Sequence, residues 1–173
     1  NWKEVRPSPD VAFSASISAS VAAQIINEAG TASYESLPNL SRKGAFHDWI
    51  YKQYGTFQML IECGTANLQP TEALMQNTVQ RCRNAVYWML NRALPNSQAV
   101  PSSSMLTGII RDAASSEPLE AEIIVEGLHA PWFVPRTSDP TTGRFFKPLA
   151  TGTYNLRFRK AGYWDTVIQN QMV

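Results

Sequence analysis

Between Leu94 and Ser104 the sequence reads Leu-Pro-Asn-Ser-Gln-Ala-Val-Pro-Ser-Ser-Ser, with two prolines and four serines. Proline lacks the backbone N–H that a helix interior or a central strand needs, and serine prefers caps and turns to either. No regular element runs through such a stretch, so it reads as a linker that splits the 173 residues at roughly residue 100. The division gives 1–95 to one unit, 96–104 to the connection and 105–173 to a second unit. Hydrophobic residues make up 44% of the chain and aromatics 10%, enough to build cores and to exclude wholesale disorder. Fifteen Lys and Arg stand against fourteen Asp and Glu, without the basic excess of a nucleic-acid binder. No run of eighteen apolar residues is present, so no membrane span is expected. The sequence opens at Asn1-Trp2 with neither Met nor a signal-like segment, and so reads as the interior of a longer protein.

The first unit has helical periodicity around one apolar run. Ser8-Pro9-Asp10 offers capping residues ahead of Phe13, Ile17, Val21 and Ile25 on one stripe, and Gly30 supplies a stop, which predicts a helix from Phe13 to Ala29. Thr56 to Gly64 is short, mostly apolar and closed by glycine, as expected of a strand buried on both faces. Pro70-Thr71-Glu72 opens a second helix reaching Leu94, with Pro and an acid where the first N–H groups and the dipole favour them. Its expected packing stripe is Leu74/Met75, Val79, Cys82, Val86 and Met89/Leu90, with Arg81, Arg83 and Arg92 on the other side or at the C-terminal end. Helix, buried strand, helix is a piece of a mixed α/β sheet. The second unit alternates instead. Strands are expected at 106–111, 121–126, 132–134, 143–146 and 153–159, separated by Gly, Pro, Ser and Asp turns, which predicts an all-β antiparallel sandwich. In the last strand Tyr154, Leu156 and Phe158 share one face, and Asn155, Arg157 and Arg159 form a solvated opposite face.

Few residues can carry chemistry. The two cysteines, Cys63 and Cys82, and the two histidines, His47 and His129, lack the convergent spacing of a metal site. His129 reads as a loop residue. Cys63 points away from Glu62 and Cys82 lies on a packing stripe, which allows either a disulfide or, more in keeping with the pattern, two buried free thiols. Glu62 is the informative residue. A carboxylate near the end of an apolar strand is partnered, or does chemistry, or escapes into solvent as the strand finishes. Trp49 and Tyr51, beside that strand, read as core rather than cleft residues.

Gly44-Ala45-Phe46-His47-Asp48-Trp49-Ile50-Tyr51, then Phe57 to Glu62, then Pro70 opening a long helix, resembles the C-terminal third of the catalytic domain of zinc metallocarboxypeptidases. The family shows a Gly, an Asp-Trp-x-Tyr segment and, fourteen residues after the Asp, a Glu on a buried strand; Asp48 to Glu62 has that spacing. The match covers about residues 10 to 94. Behind it, Gly108-x-x-x-Asp112, Pro118-Leu119-x-Ala121, Gly143-x-Phe145, Gly152-Thr153-Tyr154 and Gly162-Tyr163 resemble the transthyretin-like sandwich often attached to such domains.

The resemblance implies that Glu62 is the general base, taking a proton from the attacking water and passing it to the leaving amine. It implies zinc as the parent enzyme's cofactor, with the family's His-x-x-Glu pair and later His lying outside this chain, so that the chain alone is inactive. The implied partners are peptide or protein C-termini and the rest of the catalytic domain, in a secreted or periplasmic setting. A mobile Tyr belongs to the family four residues before the matched Gly44; Leu40 stands there, and the nearest tyrosine is Tyr34. His47 stands where the family lines its specificity pocket, with an exposed loop position as the alternative. Two other functions fit the same residues: a binding or adhesion module with a degenerate catalytic-like half, and an amidase acting on peptidoglycan peptides.

Overall fold

The structure, a computed structural model, describes residues 8–37, 44–65, 70–93 and 105–173. The expected linker at 96–104 and Leu40 lie outside the described residues. Three helices, α1 Val11–Ala22, α2 Phe46–Tyr54 and α3 Glu72–Ala93, precede five strands, β1 Met105–Ile109, β2 Glu122–Val125, β3 Arg144–Pro148, β4 Thr153–Arg159 and β5 Thr166–Met172. The fold is mixed α/β, with two small antiparallel sheets of two and three strands.

Helix α1 stops seven residues short of the predicted Ala29. The cause is local: the Asn27 side-chain oxygen accepts the Thr31 N–H at 3.1 Å, the Asn27 N–H reaches the Ala32 carbonyl at 2.8 Å, and Gly30 turns the chain at φ 71°. These bonds compete with helix continuation and win. The Tyr34 N–H then returns to the Ile25 carbonyl at 2.8 Å. Ile17, Val21 and Ile25 are nonetheless buried along the predicted stripe. Helix α2, not anticipated from its aromatic-rich sequence, carries Asp48 in its first turn and Lys52 in its last, both favourable to the dipole. It ends at Gly55 in the left-handed region, whose N–H bonds the Tyr51 carbonyl at 2.9 Å.

Helix α3 begins where the sequence indicates, with Thr71 Oγ1 accepting the Leu74 N–H at 3.3 Å. Its predicted stripe divides in two. Ala85 is buried against Val21 and Ile25, with Cys82, Trp88 and Met89 packed beside it. Met75, Val79, Val86 and Leu90 instead lie 47–62% exposed on another face. Arg81, expected away from the core, sits on the covered side, and Arg92 is buried with its guanidinium 5.7 Å from the Phe13 ring.

Residues 56–63 are extended but unpaired, which corrects the strand expected to be buried on both faces. Phe57, Met59 and Ile61 are half-buried, and the last two pack on the α1–α3 core. Gln58, Leu60 and Glu62 alternate outward, Leu60 at 70% exposure. The period of two is therefore present, but a strand also needs a neighbour for its N–H and C=O groups, and none pairs with it among the described residues.

In the second unit β1 pairs with β3, and β4 lies between β2 and β5. Leu106 and Phe145 from the first sheet, Ile123, Val125 and Leu156 from the second, and Leu149 form one buried cluster. The strand expected at 132–134 is a turn: Pro131 and Pro135 bracket it and the Phe133 N–H closes onto Ala130 at 3.0 Å. Strand β5 was not anticipated, because Gln169-Asn170-Gln171 carries no apolar alternation and its first five residues are exposed. The charged face of β4 is solvated and laced with ion pairs, Arg157 to Glu126 at 3.3 Å and to Asp165 at 3.4 Å.

A candidate cleft beside the extended segment

A cleft of about 810 Å³ opens between α1, the start of α2 and the extended segment, and both His47 and Glu62 line it. Helix α2 places His47 in its first turn; Gly55 then reverses the chain so that residues 56–63 run back along the cleft toward Glu62. Asp48, Tyr51 and Tyr34 line the same space. The arrangement brings the Asp-Trp-x-Tyr segment and the glutamate fourteen residues later to one cavity. Leu40 lies outside the described residues.

Glu62 is exposed, so this chain does not desolvate it; the buried setting expected from the sequence is corrected by the outward side of the alternation. His47 is on a helix rather than in an exposed loop, with its side chain 30% exposed and Nε2 4.0 Å from a carboxylate oxygen of buried Asp48. Burial pushes the His47 pKa below the ordinary imidazole value, which favours the neutral ring at pH 7. Tyr51 packs its ring edge-on to Phe57 at 6.3 Å and Phe133 at 5.6 Å, while its hydroxyl donates to Asp10. Burial raises the Tyr51 pKa, and the Asp10 charge adds to the effect, so the phenol stays protonated. Trp49 departs from the expected core role: it is 49% exposed and stacks on Phe46, 6.1 Å away.

At the Glu62 end the cleft is closed by a polar cluster that sequence reasoning missed. Tyr34 donates its hydroxyl to Glu28, the Gly64 N–H donates to Glu28 at 2.9 Å, and Arg81 pairs with the same carboxylate at 3.2 Å. Arg81 also donates to the Ile26 carbonyl at 2.9 Å. The Tyr34 hydroxyl leads the interactions that hold the Glu28 carboxyl down at about 2. The only sequence signal was Tyr34 as the tyrosine nearest Leu40; its partners depend on the Asn27–Gly30 reversal.

Chemically, the cleft offers the exposed carboxylates of Glu35 and Glu62, a neutral imidazole and the phenols of Tyr34 and Tyr51. Among the described residues no group of three His, Cys, Asp or Glu could hold a metal ion, so the residues present do not make a zinc site. No helix among the described residues is long and apolar enough to cross a membrane. No family model and no curated protein sequence matches the chain.

Proposed function

We propose that the chain is the C-terminal part of a zinc-dependent carboxypeptidase that removes C-terminal residues from peptides, with Glu62 as general base. The supporting observation is the shared cleft, which gathers Glu62, His47, Asp48 and Tyr51. An unpaired extended segment and an exposed apolar face on α3 also suit one strand and one helix of a larger sheet. On this reading residues 1–95 close a catalytic domain and residues 105–173 are an appended transthyretin-like sandwich, their two sheets sharing a core. The metal's ligands belong to residues beyond these 173, and this chain contributes the proton acceptor and part of the cleft wall. On this reading His47, half-buried at the cleft, meets the substrate's C-terminal side chain.

The test uses the longer protein that carries the zinc ligands. Glu62→Gln keeps the side chain's shape and removes the base, so turnover of free-C-terminal peptides should fall by about 10²- to 10⁴-fold at unchanged metal content. Near-normal turnover refutes the role of Glu62. Activity confined to peptidoglycan peptides selects the amidase, and no hydrolysis by the wild-type protein selects the binding module.

A further inference from the structure

The extended segment meets α3 at the two cysteines. Met59 and Ile61 pack with Cys82 on the core of Val21, Ile25 and Ala85. Two residues after Glu62 the backbone lies against α3 one turn before Cys82, since a Cβ placed on Gly64 would stand 3.6 Å from Thr78 Oγ1. The Gly64 N–H and Arg81, the neighbour of Cys82, hold the same Glu28 carboxylate at 2.9 and 3.2 Å. The segment is thus fastened on both sides of Cys63, at Ile61 and at Gly64, beside Cys82 and its neighbour Arg81. Both cysteines are free, Cys63 exposed and Cys82 half-buried.

We propose that Cys63 and Cys82 are a modification site, closing into a reversible disulfide that staples the segment bearing Glu62 to α3. This goes beyond the carboxypeptidase reading and does not rest on it; the co-reactant is a small disulfide such as oxidised glutathione. The exposed Cys63 thiolate attacks one glutathione sulfur, the glutathione S–S bond breaks and one glutathione thiolate departs, leaving a mixed disulfide on Cys63. Cys82 gives its proton to water, attacks the Cys63 sulfur and expels the second glutathione. Two protein thiols are oxidised, one glutathione disulfide is reduced to two thiols, and atoms and electrons balance. Burial, with the nearby Cys63, pushes the Cys82 thiol up, so ring closure by Cys82 is the slow step and quickens as pH rises. The bond closes the chain from 63 to 82 and draws tight a segment that otherwise has no sheet partner among the described residues.

The experiment incubates the folded chain in mixtures of oxidised and reduced glutathione and reads intact mass after acid quench. The expected product has lost two hydrogens, retains no glutathione, resists alkylation at both cysteines and reverts with dithiothreitol. Its melting temperature should rise by about 5–10 °C, from the entropy of closing a loop of this length. In urea the same oxidation should need a glutathione mixture about tenfold or more oxidising, because only the fold holds the thiols together. Cys82→Ser should instead keep one glutathione on Cys63. A folded wild-type chain that holds glutathione on Cys63 with Cys82 still a reduced thiol open to alkylation, links to a second chain, or oxidises at the same ratio folded and unfolded overturns the proposal. The wild-type comparison decides even if the serine variant does not fold.

Discussion

Arg136 joins the β-strand half to the helical half, and its removal gives the sharpest test of how the two depend on each other. Its guanidinium donates to the carbonyls of Tyr51, of Lys52 at 3.2 Å and of Gln53 at 3.1 Å, the last-turn acceptors of α2, and to its own neighbour Val134 at 2.9 Å. It also lies 5.9 Å from the Tyr51 and Phe133 ring centroids. A planar fork with several donors on one carbon suits three neighbouring carbonyls, which a lysine cannot serve together. Hydrogen bonds from a charged donor contribute about 1.5–3 kcal/mol each in isolation but do not add when they share one side chain. A cation at a helix C-terminus adds up to about 2 kcal/mol and each ring about 0.5–1 kcal/mol. Arg136 is only half-buried and water can replace part of this, so Arg136→Ala should cost about 2–4 kcal/mol and Arg136→Lys roughly half as much.

Urea titration and calorimetry, followed by far-ultraviolet circular dichroism for the helices and near-ultraviolet signal for the aromatics, read the effect. If both halves melt together, Arg136→Ala should lower the midpoint by about 5–15 °C. If the β half melts alone, its transition should stay put while the helical signal moves. A variant within about 0.5 kcal/mol of wild type in both signals would refute the idea that the β half holds the end of α2.

Three further outcomes follow from named contacts. Glu28 is held at about 2 against an ordinary 4.5 by Tyr34, Gly64 and Arg81, so its stabilising contribution is full above pH 4.5 and is lost as pH falls toward 2. Glu28→Gln should therefore flatten the loss of urea stability between pH 5 and 2, and an unchanged pH profile would contradict the cluster. Gly143 turns at φ 71° with the Ile110 carbonyl where a Cβ would stand, so Gly143→Ala should cost about 2–4 kcal/mol in urea titration; less than 1 kcal/mol would show the turn can relax. Val79→Gln with Val86→Gln on the exposed face of α3 should change this chain's stability by less than about 0.5 kcal/mol per site, yet cost about 2 kcal/mol per site in a longer protein whose sheet covers that face. Equal tolerance in both would count against the catalytic-domain reading.

What the sequence made legible was whatever a local rule decides. Thr153 to Arg159 alternates so regularly that β4 has the predicted bounds, and Thr71 ahead of a long helical run places the start of α3 within a residue. Elements whose existence depends on a neighbour were not legible. β5 carries no pattern of its own and is a strand because β4 offers it an edge, with Leu156 opposite Ile168 and Arg157 opposite Val167. Residues 56–63 fail the other way: their alternation is that of a strand, but no strand partner exists among the described residues, so pattern without pairing leaves an extended chain. Helix α3 carries more apolar positions than one packing stripe can use, and periodicity could not tell Ala85, which is buried, from Val86, which is exposed.

The candidate site divides along the same line. The Asp48-to-Glu62 spacing was readable only through the resemblance, since helix α2 was not anticipated; that helix and the reversal at Gly55 return the chain to the same cleft. The cluster of Glu28, Tyr34, Gly64 and Arg81 was not, because four residues from three separated segments meet only after Asn27 and Gly30 turn the chain. That cluster also carries the physical weight at this end of the cleft. Among the described residues Glu62 makes no hydrogen bond or ion pair, whereas Gly64, two residues on, is tied through Glu28 to Arg81 and hence to α3. The orientation of Glu62 is therefore inherited from an ion-paired anchor rather than from a sheet, and the same anchor brings Cys63 to Cys82.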